Sequence, residues 1–313
     1  MVYIKANSTI RNATEKAGFR LFLFALPLLL LVFVFAYLPL YGWSYAFFDY
    51  HAGMKLKDTT FVGLKYFQSI IANPVSKAEI GRVLLNTLGM SFIGILTSPL
   101  PMVFALFLME IKQKYARKLV QTLTTLPNFI SWVLVYSIAW SMFSVQDGFL
   151  NRLLITLNII DEPINFLANS SHIWIQMAAY GIWKGLGWSA IMYMAAIASI
   201  DPEQYEAAIV DGAGRFQCMR YITIPGMLPT YFVLLLLSIA NFLNSGMEQY
   251  YLFMNPMNKN SLEVLDLYVY LKGMVGQNIA YSTAVGMLKS IISIVLLFSA
   301  NGLSKLIRKE SII

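Results

Sequence analysis

The sequence predicts an all-α integral membrane protein with six transmembrane helices. Three observations carry this reading. Of 313 residues, 58% are hydrophobic and only 12% are charged, about half the charged share of a soluble domain. The apolar residues gather in six runs near the roughly 20 residues that a helix needs to cross a bilayer. The basic residues flank those runs instead of forming a basic face, so the net charge of +7 points to a lipid bilayer and not to nucleic acid as the partner. Mean hydropathy is +0.62.

The runs follow in order. Leu21–Leu40 is charge-free and longer than the apolar core of a signal peptide, usually about 7–15 residues, so it reads as a retained anchor. Leu84–Leu108 and Leu119–Phe143 come next, with Pro99, Pro101 and Pro127 inside them, tolerated where neighbouring helices satisfy the freed carbonyls. Ile173–Ile200, Met227–Leu243 and Tyr281–Leu303 complete the set. Short helical stretches are expected at Leu64–Ala72 and Phe149–Leu157 in the connecting loops. The single cysteine, Cys218, excludes an internal disulfide. Sequons at Asn7, Asn12 and Asn169 are short chance patterns.

Orientation follows from charge. The basic residues of 5–20, 112–118, 215–220 and 305–309 share one side and outnumber those of the longer loops 41–83, 144–172 and 244–280. The positive-inside tendency places both termini and the segment 201–226 in the cytoplasm. The expected organisation is a cytoplasmic tail over 1–20, a six-span domain over 21–307 and a cytoplasmic tail over 308–313.

The polar segment between the fourth and fifth runs is the most specific feature. Asp201 is a helix N-cap, Pro202 suits the first helical position and Gln204 is placed to complete a capping box. A helix to about Val210 would carry Tyr205, Ala208 and Ile209 on one face. Asp211-Gly212 should break it, because glycine adopts the left-handed conformation at little cost. A second helix from about Gly214 would align Arg215, Cys218, Met219 and Ile222, with Pro225 and Pro229 ending it. The small residues Ala207 and Ala208 allow another protein to approach the backbone closely.

Glu206-Ala207-Ala208, three residues, Gly212, nine residues, then Ile222-Thr223-Ile224-Pro225 resembles the EAA motif of permease subunits from binding-protein-dependent ABC importers of sugars and oligosaccharides. The family pattern ends Ile-x-Leu-Pro, so Ile224 is the one departure. Phe61-Val62-Gly63-Leu64-Lys65-Tyr66-Phe67 and Asn86-Thr87 look like the same sugar-permease group, in the branch that takes up polysaccharide fragments. The resemblance implies a type I importer permease, a five-helix core plus an N-terminal helix. It implies that Glu206, Ala207, Ala208, Asp211, Gly212, Ile222 and Pro225 form a coupling helix seated on a cytoplasmic ATPase. The partners implied are a second homologous permease, two ATPases, an extracytoplasmic solute-binding protein and a carbohydrate. ATP and Mg would sit on the ATPases. This chain carries no G-x-x-x-x-G-K-[ST] phosphate loop and is expected to bind no cofactor or metal and to catalyse no reaction.

Candidate path residues lie inside the runs. Lys184, in the fourth, is an ionisable group at membrane depth, and such groups face a cavity or a partner. It either bonds backbone carbonyls or a second subunit, or it lines the path and favours acidic or hydroxyl-rich glycans. Lys289, in the sixth, has no evident carboxylate partner and is placed to snorkel. Trp183, Trp188, Tyr193, Tyr136 and Trp140 offer aromatic faces of the kind sugar sites use, and Asn241 and Asn244 offer amides; helix packing is the competing use of all of them. His51 and His172 lie outside the runs, with no second ligand at metal spacing, and Gly187-Trp188-Ser189 lacks the second glycine of a nucleophile elbow. An amino-acid or peptide permease is the alternative within the class. A channel or secondary carrier is the alternative outside it, although internal repeats and paired carboxylates in broken helices are missing.

Overall fold

The computed structural model describes residues 18, 20–168 and 170–308. Asn7, Asn12, Asn169, Lys5, Arg11, Lys16 and Lys309 lie outside the described residues. Those residues form an all-helical protein whose strand pairing is one isolated bridge, Phe48 to Phe61.

Helix α1, Arg20–Phe47, leaves most of its large apolar side chains exposed, Phe24 at 82% and Phe35 at 75%. Such a surface suits hydrocarbon, not water. A short helix, α2 (Lys65–Ala72), leads to α3 (Pro74–Thr97) and α4 (Leu100–Met109), which run on as one 36-residue span. This span begins ten residues before the apolar run. Asn73 caps it by accepting from the amides of Val75 and Ser76, so the polar turns around Lys77, Glu79 and Arg82 are helical although not apolar.

The third run is not one straight helix. α5 (Lys114–Thr125) and α6 (Trp132–Phe143) meet at an angle of 104° across a 3₁₀ turn over Leu126–Phe129. Pro127 lacks the N–H that a continuing helix needs, and Ser131 opens α6 as its cap. α7 (Phe149–Thr156) follows, then α8 (Ile173–Ala198), a 26-residue helix about 39 Å long. The elbow comprises α9 (Pro202–Val210) and α10 (Arg215–Cys218), and a π-turn over Met219–Thr223 joins α10 to α11 (Ile224–Ala240). α12 (Glu248–Phe253), α13 (Lys259–Leu262) and α14 (Leu265–Tyr270) are short, and α15 (Ile279–Arg308) is the last helix of the described residues.

By length and composition alone, four helices of the described residues can cross a membrane, or five if the bent pair α5–α6 is one span. α8 is long enough, but Gln176, Lys184, its glycines and its Trp and Tyr residues dilute its apolar content. Six spans are expected from the sequence, whereas by length and composition the described helices supply four or five.

α8 is the central strut and packs on α3, α4, α5 and α11. Three apolar clusters hold it and its neighbours. Ala190, Tyr193 and Ala196 of α8 meet Ala105 of α4 and Met227 of α11 near the elbow. At the opposite end, Ile173 and Met177 join Met90, Ala139, Phe253, Leu262 and Leu267. A third cluster ties α1, α2, α3, α14 and α15 through Ala46, Ile70, Val83, Tyr268 and Ala284. At Gly187 the α8 backbone touches α5 so closely that a Cβ would sit 2.3 Å from the Thr124 carbonyl oxygen.

Polar side chains lace the end away from the elbow. Asn86 donates its amide to the carbonyls of Asn260 and Glu263 at 2.9 and 3.0 Å, and Thr87 accepts from the Leu265 amide at 2.8 Å. Arg82 pairs with Glu263 at 2.6 Å, and the Trp174 indole donates to Ser261 at 2.7 Å. Asn86-Thr87 thus works as a clasp between α3 and the segment 259–265. Lys289 does have a carboxylate partner. It pairs with Asp266, which packing brings to α15 from a position 23 residues earlier in the chain.

Candidate functional site

Two features stand apart from structural packing: a cavity along α8 and the exposed elbow at its end. The cavity encloses about 640 Å³, within the range of small-molecule sites. Its walls are α3, α4, α8 and α11, with Gln249 and Tyr250 at one end. It follows α8 from Met177 to Tyr193, about 24 Å of helix axis. Gly181 and Gly185 line it one turn apart, and a Cβ at either position would meet nothing within 4 Å. Such small-xxx-small spacing usually brings helices into contact; here it leaves the space open.

The lining is apolar with scattered neutral polar groups: Thr97, Ser98, Ser189, Ser238, Asn241, Gln249, and the Trp188 and Tyr193 rings. Several are already engaged. Thr97 and Ser238 donate back to their own helices, and Gln249 donates to the Met177 carbonyl at 2.8 Å. Trp188 meets Phe129 edge-on with ring centroids 5.7 Å apart.

The structure thus brings Trp188, Tyr193 and Asn241 of the candidate path together on one cavity. Tyr136 and Trp140 line a second, smaller cavity. Trp183, Asn244 and Lys184 line neither. Asn244 donates to Asn241 at 3.1 Å. Lys184 spends its ammonium on the bend, donating to the carbonyls of Pro127, Asn128 and Ile130 at 3.3, 2.8 and 2.6 Å, with the Trp132 ring 5.6 Å away. Three carbonyls gathered at the broken helix, of which that of Pro127 also accepts from the Ile130 amide at 3.2 Å, explain why a cation lies at this depth. Gln249, a candidate beside Asn241 and Asn244, also lines the cavity, whereas Gly181, Ser189 and Ser238, which the sequence reading did not place on the path, carry no individual signal; only the placement of their helices reveals them.

At the elbow, the Asp201 carboxylate accepts from the Glu203 amide at 3.0 Å. The Gln204 arm of the expected capping box does not form. The reach-back occurs instead on the next helix, where Gln217 accepts from the Gly214 amide at 2.7 Å. Gly212 has φ +83°, the amide of Ala213 donates to Ala208 at 2.8 Å, and that of Gly212 to Ile209 at 3.0 Å. These are the two bonds of a Schellman stop, and they need a left-handed residue. The Tyr205 and Thr223 hydroxyls bond at 3.0 Å, tying α9 to the π-turn.

Pro225 and Pro229 do not end the second helix. The π-turn carries it directly into α11, where Pro225 falls in the first turn and Pro229 lies inside the helix. A π-bulge is a common way for a helix to pass an irregular hydrogen-bond pattern. Tyr205 and Ala208 are half-buried, but Ile209, expected on the same face, is 64% exposed, together with Val210, Phe216 and Tyr221. Glu206, Ala207 and Asp211 are exposed beside them, and Ile222 is half-buried.

A helical membrane protein with a central cavity and a protruding, apolar-tipped elbow has the architecture of a transporter subunit. The chain belongs to the family described as the binding-protein-dependent transport system inner membrane component, matched over residues 97–309, whose members are ABC permease subunits. It is 39% identical over 293 residues to Protein LplB of Bacillus subtilis (strain 168), spanning 93% of this chain and 90% of that one. It is 36% identical over 293 residues to the polygalacturonan/rhamnogalacturonan transport system permease protein YteP of the same organism, spanning 93% and 89%. Among solved structures it resembles a chain of a bacterial ABC transporter involved in the import of the acidic polysaccharide alginate. The TM-score there is 0.84 and the identity 30%, over 95% of this chain and 98% of that one. A bacterial alginate ABC transporter in complex with an alginate pentasaccharide-bound periplasmic protein gives a TM-score of 0.83 and 30% identity, over 96% and 99%.

Proposed function

We propose that this chain is a permease subunit of an ATP-driven importer for oligosaccharides or polysaccharide fragments, working by alternating access. The observation that carries the mechanism is the elbow. A two-helix device, stopped at Gly212 and pinned by Tyr205 to Thr223, follows α8 after a short turn over 199–201 and runs through the π-turn directly into α11. α8 and α11 both wall the cavity, so a push on the elbow tilts two walls at once. The transition is a rigid-body one, driven from a site distant from the cargo.

The exposed group Ile209, Val210, Phe216 and Tyr221, bordered by Glu206 and Ala207, is the surface offered to an ATPase subunit. Two such ATPases hold ATP and Mg and supply the energy; a second, homologous permease completes the cavity; an extracytoplasmic binding protein delivers the glycan. Residues 1–20, 201–226 and 308–313 face the cytoplasm and 21–307 form the membrane domain. The glycan class is supported by the substrates named for the relatives, and by a cavity of neutral hydroxyl and amide groups among aromatic rings. An amino acid would call for charged partners for its own termini, and none lines the cavity.

Crosslinking tests the joint. Cys218 is only half-exposed, so a Cys218→Ser background with Ala207→Cys supplies an exposed thiol at the elbow. In the co-expressed assembly this thiol is expected to capture an ATPase subunit. Capture of a second permease and no ATPase would defeat the reading.

A further inference from the structure

The second cavity, about 440 Å³, has no role in the mechanism above. It lies at the end of the fold away from the elbow, between the last turns of α6, the segment 144–168 and the loop 253–257. Its floor is Phe253, which packs edge-on against Tyr136 with centroids 5.1 Å apart, and Tyr136 in turn lies 6.2 Å from Trp140. Trp140 lines this cavity and is half-exposed, so its indole is available there as an apolar contact surface.

Polar groups stand opposite the rings, and they divide into two kinds. Asn255 is committed to the loop: its amide donates to the Leu167 carbonyl at 3.2 Å and its oxygen accepts from Met257 and Asn258. Asn165 and Gln146 are not. The Asn165 oxygen accepts from Ala168 at 3.0 Å, which leaves its NH₂ unspent among the described residues. The Gln146 amide bonds to none of them. No lining residue carries a charge.

An aromatic face, two free amides and no charge together select a ligand. An apolar ring face with hydroxyls at its edge, as in a neutral pyranose, stacks on Trp140 and bonds the amides. A carboxylate or ammonium brought into the same space would be desolvated without a countercharge. We infer that this cavity is an outer subsite that holds one neutral sugar ring of the cargo, with Trp140 as the stacking platform and Asn165 and Gln146 as hydroxyl ligands. The inference rests on the proposed glycan importer and adds a second contact point remote from the α8 cavity.

The test uses the full assembly of this chain with its partner permease and ATPases, without binding protein. Saturation-transfer NMR reads the dissociation constant of a neutral glucan pentasaccharide and of a galacturonate pentasaccharide. Trp140→Ala is expected to weaken neutral-glycan binding about two- to tenfold, the range of one aromatic contact, while Trp140→Phe restores most of it. Asn165→Ala should weaken binding severalfold, and Trp183→Ala, outside both cavities, should leave it unchanged. Equal binding by wild type and Trp140→Ala overturns the subsite, as does tighter binding of the galacturonate through Trp140. A separate measurement covers the underlying reading: wild type that shows no glycan-stimulated ATPase activity with its binding protein overturns the importer itself, whereas normal stimulation with an unmoved Trp140→Ala titration overturns the subsite alone.

Discussion

Replacing Lys184 with methionine separates a structural lysine from a substrate-contacting one. The ammonium makes three hydrogen bonds to carbonyls of residues 127–130, and methionine keeps the length of the side chain but donates to none of them. At about 1 kcal/mol net for each bond, the loss is about 3 kcal/mol. For a large domain that is a fall in melting temperature of roughly 5–10 °C. The bend between α5 and α6 should loosen first, because Pro127 offers the break no other donor. Thermal-shift chromatography of the detergent-solubilised chain measures the change, and hydrogen exchange of residues 126–135 localises it. Lys184→Arg, which keeps charge and donors, should recover most of the stability. A wild-type melting temperature for Lys184→Met, with a changed apparent affinity for glycan, would refute this reasoning and return the lysine to the path.

Further perturbations have defined outcomes. Gly185→Leu projects into open cavity space, so uptake should fall severalfold while the melting temperature holds or rises, since glycine costs a helix about 1 kcal/mol relative to better formers; an unchanged uptake rate would mean that the cavity is not the path. Gly187→Ala forces a Cβ against the Thr124 carbonyl, and overpacking of this kind costs about 1–3 kcal/mol, read as a lower melting temperature. Gly212→Ala meets no steric obstacle but must hold φ +83°, so its cost of about 1–2 kcal/mol is local strain; ATPase activity should persist with weakened coupling to uptake. Tyr66 donates to Asp49 at 2.5 Å. That bond holds the Asp49 carboxyl below its ordinary range, while burial, followed by the bond to Asp49, pushes the tyrosine up to about 12. The carboxylate's contribution is present above its unfolded value of 3.8 and is lost as pH falls through its lower folded value. The hydroxyl's contribution is present below 10 and is lost as pH rises towards about 12. Amide protection of residues 47–66 should follow both limbs, and Tyr66→Phe should remove them.

The relation between sequence and structure is clearest at particular residues. Ile173–Ala198 was legible almost to the residue, because an apolar run bounded by His172 and the Asp201-Pro202 start leaves little freedom. The Gly212 stop was equally legible, since glycine after a helix is a local signal that tertiary packing seldom overrides. The 104° bend was not legible. Pro127 was visible, but hydropathy averages over direction and cannot distinguish a straight span from a broken one. Backbone carbonyls were among the partners expected for Lys184, but which carbonyls it bonds, and the carboxylate that meets Lys289, were hidden for a related reason. Carbonyls carry no sequence identity, and Asp266 reaches Lys289 only through the fold of α14 onto α15. The cavity was half-visible: Trp188, Tyr193 and Asn241 stand on it, while Gly181 and Gly185 contribute by having no side chain.

The central claim is that ATP hydrolysed on partner subunits moves a glycan through this chain by way of the elbow. Uptake of a labelled oligosaccharide into proteoliposomes containing the full assembly and its binding protein measures that directly. The account predicts uptake that requires ATP on the ATPase side, falls sharply with Glu206→Ala or Gly212→Ala, and does so while ATP hydrolysis continues. Uptake that proceeds without ATP, or that is indifferent to both elbow substitutions, would contradict it.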